Sequence, residues 1–263
     1  MSRQEPPEEE YVQSLARGLA VIEAFGQSHA ALTLSEVARR AEVSRAAARR
    51  LLHTLVHLGY AGFDGKTFEL RPRVLNLGLA YMSSMGVWQV AQPYLEDLMR
   101  ATRESCSVAV LDGADIVHVI RMPAAERLMS IAVKVGDRLP AHASAMGRVL
   151  LAALPPAELE RYFATTRFAK ITDKTVTDAK KLRALIVEAG RRGYAEVDGE
   201  LEIGLHALSA PILDRNGKAV AAVALSTLSA KAPRKGAADP LLKPLLACAQ
   251  RIGQALAVLP GTR

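Results

Sequence analysis

Long hydrophobic runs are missing from this 263-residue chain. Nothing in it reaches the ~18 uninterrupted apolar residues of a membrane-spanning helix. The residues from Met1 to Glu10 lack the basic and apolar parts of a signal peptide, so the expected location is the cytoplasm, with no membrane partner. Cysteine is scarce: Cys106 and Cys248 are the only two, far apart and in apolar surroundings. That suits reduced core thiols and argues against a disulfide framework, a metal site or redox chemistry. Also absent are the P-loop, the G-x-G-x-x-G turn and the G-x-S-x-G nucleophile elbow. His53 and His57 have the i, i+4 spacing of a zinc-protease helix, but Thr54 stands where the glutamate base belongs and no third ligand is near. His29, His118, His142 and His206 are isolated along the chain. No catalytic residue, metal or cofactor is therefore assigned, and an enzyme is the weaker of the two function classes.

Half of the residues are apolar, which excludes wholesale disorder, and the length allows two domains with separate cores. Basic residues outnumber acidic ones, 34 to 27, as suits a polyanionic partner. The excess is local. Between Arg39 and Arg50 five arginines face one glutamate, Glu42.

That cluster lies in Thr33–Tyr60, where two helices meet at a tight turn. Thr33-Leu34-Ser35-Glu36 is a capping box, and Leu34, Val37, Ala38 and Ala41 follow at helical spacing. Ser44 is a good N-cap for a second helix through Leu58, with Gly59 just past its end. This helix gathers Ala47, Ala48, Leu51, Leu55 and Leu58 on one side and Arg45, Ala46, Arg49, Arg50, His53 and His57 on the other. A helix entered through such a corner fits the DNA major groove. Arg45 and Arg49 can reach guanine O6 and N7, whereas Arg39, Arg40 and Arg50 are placed for phosphates. Asp64-Gly65 predicts a type I′ hairpin, a wing whose tip carries Lys66 and Thr67. The candidate DNA-binding residues are thus Ser44, Arg45, Ala46, Arg49, Arg50, Lys66 and Thr67. The blander alternative is a solvated arginine face on an ordinary surface helix.

Residues 1–10 are expected to be a disordered tail, with a DNA-binding domain at 11–71. Its first helix spans Ser14–Phe25, with Val12, Leu15, Leu19 and Ile22 packed on the helix pair. Pro72 opens a linker helix at 72–86 that is apolar around most of its circumference, which predicts burial between domains, a dimer seam, or both. A second domain at 87–263 begins with a helix burying Leu95, Leu98 and Met99 and broken or restarted at Pro93. Strands follow at 107–111, 116–120, 129–135, 194–197, 206–213 and 219–228. Helices are expected at 144–154, 158–163, 179–192 and 240–256, the last kinked at Pro244. Recurrent hairpins without a βαβ repeat predict an α+β fold with a mostly antiparallel sheet flanked by helices.

Between His118 and Arg148, the residues His118, Arg121, Arg127, Lys134, Arg138, His142 and Arg148 stand against only Glu126 and Asp137, a balance that favours an anionic ligand. Ser144 leads into a helix whose first amides, those of Ala145, Met146 and Gly147, would form a carboxylate site. Ser144 as a plain cap, with Gly147 permitting close packing, explains the same residues, and both readings stay open.

The helix pair, the Leu58-Gly59-Tyr60 entry to the wing, the block Leu139–Ala152 and Ala210-Pro211-Ile212 followed by Gly217 resemble the IclR family of bacterial transcription regulators. Val43–Arg50, Tyr60, Phe68 and Arg73–Gly78 are similar to its branch governing protocatechuate, 4-hydroxybenzoate and the β-ketoadipate pathway. The resemblance implies a winged helix-turn-helix domain, a linker helix and a GAF-like effector domain. It also implies homodimers or dimers of dimers on operator DNA, RNA polymerase as a partner if the protein activates, and a small carboxylate effector like 4-hydroxybenzoate, protocatechuate or β-ketoadipate. By position the family pocket falls on Ala145 and Met146, on the strand carrying Ala207 and Ser209, and on Ser226-Thr227. Arg121, His142 and His206 would add polar groups. The ligand candidates are therefore Arg121, His142, Ser144, Ala145, Met146, Gly147, His206, Ala207, Ser209, Ser226 and Thr227. The alternative is an enzyme of aromatic-acid metabolism with an autoregulatory DNA-binding domain.

Overall fold

The structure, a computed structural model, describes residues 10–26, 31–124, 133–230 and 240–258. The chain divides into two compact units, residues 3–81 and 82–263, each with a core of its own.

In the first unit, α1 (Gln13–Glu23) leads to β1 (Ala31–Thr33), α2 (Leu34–Arg40) and α3 (Arg45–His57), then to β2 (Ala61–Phe63) and β3 (Thr67–Leu70). Local chemistry sets these boundaries. The amide of Glu36 donates to Thr33 Oγ1 at 3.4 Å while the amide of Thr33 donates to Glu36 Oε2 at 2.7 Å, which completes the capping box. Glu42 turns the corner in the left-handed region at φ 52°. Ser44 Oγ then caps α3 by accepting from the Ala47 amide at 3.2 Å. The helix stops at Gly59, whose φ of 78° few side chains tolerate. The strands pair antiparallel in the order β1-β3-β2. Val21, Phe25, Leu32, Val37, Leu52, Leu55 and Phe68 form the core.

Several details depart from the sequence-based expectation. The face of α1 that packs inward carries Val21 and partly Ile22, with Phe25 just beyond the helix; Gly18 lies on the same side, against Leu51. Val12, Leu15 and Leu19 are 60, 63 and 47% exposed. This helix has two apolar stripes, and periodicity alone does not say which one the core takes. On α3 the expected Ala48 and Leu55 are buried and Leu52 joins them, whereas Leu58 is exposed. The wing turn is not type I′, which needs two positive φ angles, because only Gly65 has one (98°). Asp64 holds the turn with its carboxylate, accepting from the amides of Lys66 at 2.8 Å and Thr67 at 2.6 Å.

A short 3-10 turn at Pro72–Val74 opens α4 (Leu75–Met85). Leu75, Leu77, Leu79 and Tyr81 are 66, 48, 50 and 50% exposed. Next comes α5 (Val87–Thr102), which runs unbroken through Pro93. Leu95 and Leu98 are buried but Met99 only partly so.

The second unit is built on β4 (Ser105–Asp112), β5 (Asp115–Met122), β6 (Arg138–Pro140), β7 (Ala195–Asp198), β8 (Leu205–Leu213) and β9 (Ala219–Leu228). They lie in the order β6-β5-β4-β9-β8-β7, every neighbouring pair antiparallel. The expected strand at 129–135 lies mostly outside the described residues; the strand beside β5 is 138–140. The helices are α6 (Ala145–Ala152), α7 (Pro156–Thr165), α8 (Ala179–Arg192) and α9 (Leu242–Val258). Pro244 sits in the first turn of α9, where its missing amide would have no helical partner anyway, so no kink is required.

The two sheet faces differ in bulk. Val108, Val110, Leu208, Ile212, Val223 and Leu225 pack against α5 and α9, and there the Cys106 and Cys248 thiols are pushed up to about 12 by burial. The face toward α6 carries Ala109, Ala195, Ala222 and Ala224, with Ser107 and Ser209 in line with them. Small residues let α6 come close and leave room at its N-terminal end. Gly147 is part of that fit, since a Cβ there would lie 2.1 Å from the Ala141 carbonyl oxygen.

Candidate functional site

The outer face of α3 is basic and open. Arg45, Ala46, Arg49 and Arg50 are exposed, as are Ser44 and Lys66. Arg45 and Arg49 occupy the first turn and a half, the part of a recognition helix that enters the groove. Two expectations change. Arg40 is half-buried and its Nη1 donates to the Ala24 carbonyl at 3.1 Å, tying α2 to the end of α1. Thr67 Oγ1 donates to Asp64 Oδ2 at 2.7 Å, so its hydroxyl serves the wing turn first. His53 lies edge-on to Phe63 and Phe68, each centroid 5.8 Å away, which packs the wing against α3.

In the second unit a small cavity, with about 40 Å3 of space for water-sized groups, opens at the start of α6. Of the expected ligand residues, Arg121, Ser144, Ala145, Met146, Ala207 and Ser226 line it. The Ser144 Oγ accepts from the Gly147 amide at 3.2 Å and its carbonyl from Arg148 at 3.0 Å, so Gly147 does not offer its amide to a ligand. Ala145 and Met146, the first two residues of α6, remain at the wall, where amides have no partner inside their own helix.

His142, Gly147, His206, Ser209 and Thr227 do not line the cavity. Strand alternation explains two of these misses. Adjacent strand residues face opposite ways, so with Ala207 and Ser226 toward the cavity, His206 and Thr227 are buried on the opposite face of the sheet. There His206 Nε2 meets Glu196 Oε1 at 2.9 Å and Thr227 Oγ1 donates to Glu104 at 3.0 Å. Ser209 donates to the Val223 carbonyl at 2.9 Å, and His142 is paired with the Ala169 carbonyl at 3.1 Å. The cationic excess read from the sequence is also smaller than it looked. Arg138 pairs with Asp112 and Asp115, and Arg148, buried, pairs with Glu200 at 2.7 and 2.8 Å. Arg127 lies outside the described residues.

Sequence reasoning missed Ser107 and Glu200 on the cavity wall and counted His118 only among the groups that favour an anion, not among the ligand candidates. For His118 the reason is a bulge. Val108 pairs with Ile120 but Ala109 with His118, which leaves Val119 as an extra residue in β5. The bulge resets the alternation and brings His118 and Arg121, three residues apart, to the same side.

A winged helix-turn-helix with an open basic recognition helix, carried by a chain whose second unit encloses a polar-ended cavity, defines a DNA-binding transcriptional regulator with a sensing domain. The profile of the IclR helix-turn-helix domain matches residues 14–65, and that of the bacterial transcriptional regulator IclR C-terminal domain matches residues 79–254. The chain belongs to the IclR family of bacterial transcriptional regulators; it is not an enzyme. It is 41% identical to the Pca regulon regulatory protein of Pseudomonas putida over 92% of this chain and 83% of that one. It is 35% identical to the p-hydroxybenzoate hydroxylase transcriptional activator of Acinetobacter baylyi, over 84% of this chain and 83% of that one. Among solved structures, an IclR homolog from Microbacterium hydrocarbonoxydans complexed with 4-hydroxybenzoate superposes with a TM-score of 0.82 at 30% identity, covering 94% of this chain and 100% of that one. Among the described residues no helix is long and apolar enough to cross a membrane.

Proposed function

We propose that this regulator controls aromatic-compound catabolism in the cytoplasm by binding a small carboxylate, of the 4-hydroxybenzoate, protocatechuate or β-ketoadipate kind, in the cavity at the start of α6. The observation that carries the reading is the wall itself: the first residues of α6 and Arg121 line the same mostly apolar, half-enclosed space. A carboxylate there gains from unpaired amides and from the helix dipole. The 4-hydroxybenzoate held by one relative and the regulons named for two others support the same ligand class. Binding is expected to be saturable by calorimetry. At a hundredfold excess over Kd the folded protein should gain ~2.7 kcal/mol by mass action. Ala145→Pro should weaken it selectively, because Ser144 is already extended (φ −110°, ψ 139°) and proline is tolerated at the first helical position, so that only an amide is lost. No binding of any of the three acids by the wild type would overturn the proposal.

The same reading makes the working form a homodimer or dimer of dimers on operator DNA, meeting RNA polymerase if it activates. Leu75 with Leu79, and Leu77 with Tyr81, exposed stripes on two sides of α4, support it, since a helix that leaves this much apolar surface uncovered is suited to association. Light scattering at micromolar concentration should give at least twice the chain mass. Charging the helix with Leu75→Glu and Leu79→Glu should move that mass toward the monomer and weaken operator binding; a monomeric wild type with full operator affinity would refute the assembly.

A further inference from the structure

His118 is the group on the cavity wall that carboxylate binding at α6 leaves without a role. It is 3% exposed, it lines the cavity, and neither ring nitrogen has a hydrogen-bond partner among the described residues. Leaving a buried polar group unmet costs on the order of 1–3 kcal/mol. A strand bulge at Val119 is what aims this ring into the same space as Arg121. Burial, and then the Arg121 charge, push the imidazole down to about 4, so at neutral pH it carries one N–H donor and one bare lone pair.

We propose that His118 is the specificity-determining residue of the effector site and that it selects an acid bearing a hydroxyl group over an unsubstituted acid or a dicarboxylate. This rests on the carboxylate-effector reading of the cavity. A hydroxyl both donates and accepts, so it satisfies whichever ring nitrogen faces it. A second carboxylate can only accept from the tautomer whose N–H faces it, and it brings a second negative charge out of water into the cavity. A bare aromatic ring meets neither nitrogen and leaves His118 buried without a partner. The cavity therefore offers its ligand two kinds of partner, the amides at the start of α6 and, on β5, the Arg121 and His118 side chains.

Calorimetry on the full chain with benzoate, 4-hydroxybenzoate, 4-methoxybenzoate and adipate tests this. The wild type should bind 4-hydroxybenzoate about tenfold to a hundredfold more tightly than benzoate or 4-methoxybenzoate, and adipate more weakly still. His118→Phe, with circular dichroism matching the wild type, should bring benzoate and 4-hydroxybenzoate to within about threefold of each other. Ring nitrogen NMR on the wild type needs no variant. Of the six histidines, one ring should shift with 4-hydroxybenzoate and stay in place with benzoate. A preference for 4-hydroxybenzoate that survives His118→Phe, a wild-type preference for benzoate or adipate, or no histidine shift specific to the hydroxyl would each overturn the assignment of His118 while leaving the carboxylate site standing. Failure of every acid to bind the wild type would overturn the carboxylate site and this inference together.

Discussion

Glu200→Ala is expected to destabilise the second unit by about 3–5 kcal/mol, the range for breaking a buried ion pair from one side. The carboxylate and the Arg148 guanidinium are 8 and 3% exposed. Arg148 Nη2 donates to both Glu200 oxygens at 2.7 and 2.8 Å, its Nε donates to the His142 carbonyl at 3.2 Å, and Glu200 also accepts from the Val176 amide at 2.9 Å. Removing the carboxylate leaves a guanidinium out of water without its counter-charge, which is why this should exceed the ~1 kcal/mol of an exposed pair such as Arg183 with Glu160. The melting transition of this unit should fall by roughly 6–20 °C, taking 2–4 °C per kcal/mol for a domain of this size. Function should suffer too, because the pair joins α6, whose first residues line the cavity, to Glu200, Leu201 and Leu205, which line it as well. Arg148→Met combined with Glu200→Leu should recover much of the stability, since an apolar pair has no charge to desolvate. A loss below 1 kcal/mol for Glu200→Ala by calorimetric unfolding would show that the pair is hydrated and the effect absent.

That ion pair also shows where the sequence stopped being readable. Its partners are 52 positions apart, and nothing local to either announces the other, so Arg148 counted as a free cation. Features made by neighbours along the chain were legible: the Thr33–Glu36 capping box, the Ser44 cap, Gly59 at the end of α3, and α8 over Ala179–Arg192. The hairpins at Asp112–Asp115 and around Gly217 came through for the same reason. Of the cavity, Ser144, Ala145 and Met146 were found through helix-start chemistry and Arg121 through its charge. His118 was passed over because an isolated histidine carries no pattern and the bulge at Val119 is a property of strand pairing. Thr227 was included through likeness to the family and His206 as a polar group beside that pocket, and the period-two rule, applied to their neighbours Ala207 and Ser226, already argued against both. Leu15 and Leu19 failed differently: an amphipathic pattern identifies a face, but the partner of that face is a tertiary fact.

Arg45→Ala with Arg49→Ala should produce the largest functional loss. A bidentate arginine–guanine contact is worth about 1–3 kcal/mol. Residues at i, i+4 on one helix face are close enough to couple, so their losses do not simply add; operator affinity should drop by at least the ~1–3 kcal/mol of one contact, or about 5-fold to more than 100-fold. Discrimination against non-operator DNA should fall with it, because these two guanidinium groups are the ones placed to read base edges. Arg50→Ala should weaken all sequences alike and lower the slope of log affinity against log salt by about one, as expected for one phosphate contact. Arg40→Ala separates this account from a general effect of arginine content. Its guanidinium is committed to the Ala24 carbonyl, so the variant should show its change in the unfolding of the first unit rather than in the salt slope. Gel shifts on operator and scrambled duplexes at several salt concentrations, with a melting curve for Arg40→Ala, give all four readouts. If the double variant keeps operator affinity, or loses affinity for both duplexes equally, Arg45 and Arg49 do not read bases, and α3 meets DNA through its phosphates alone.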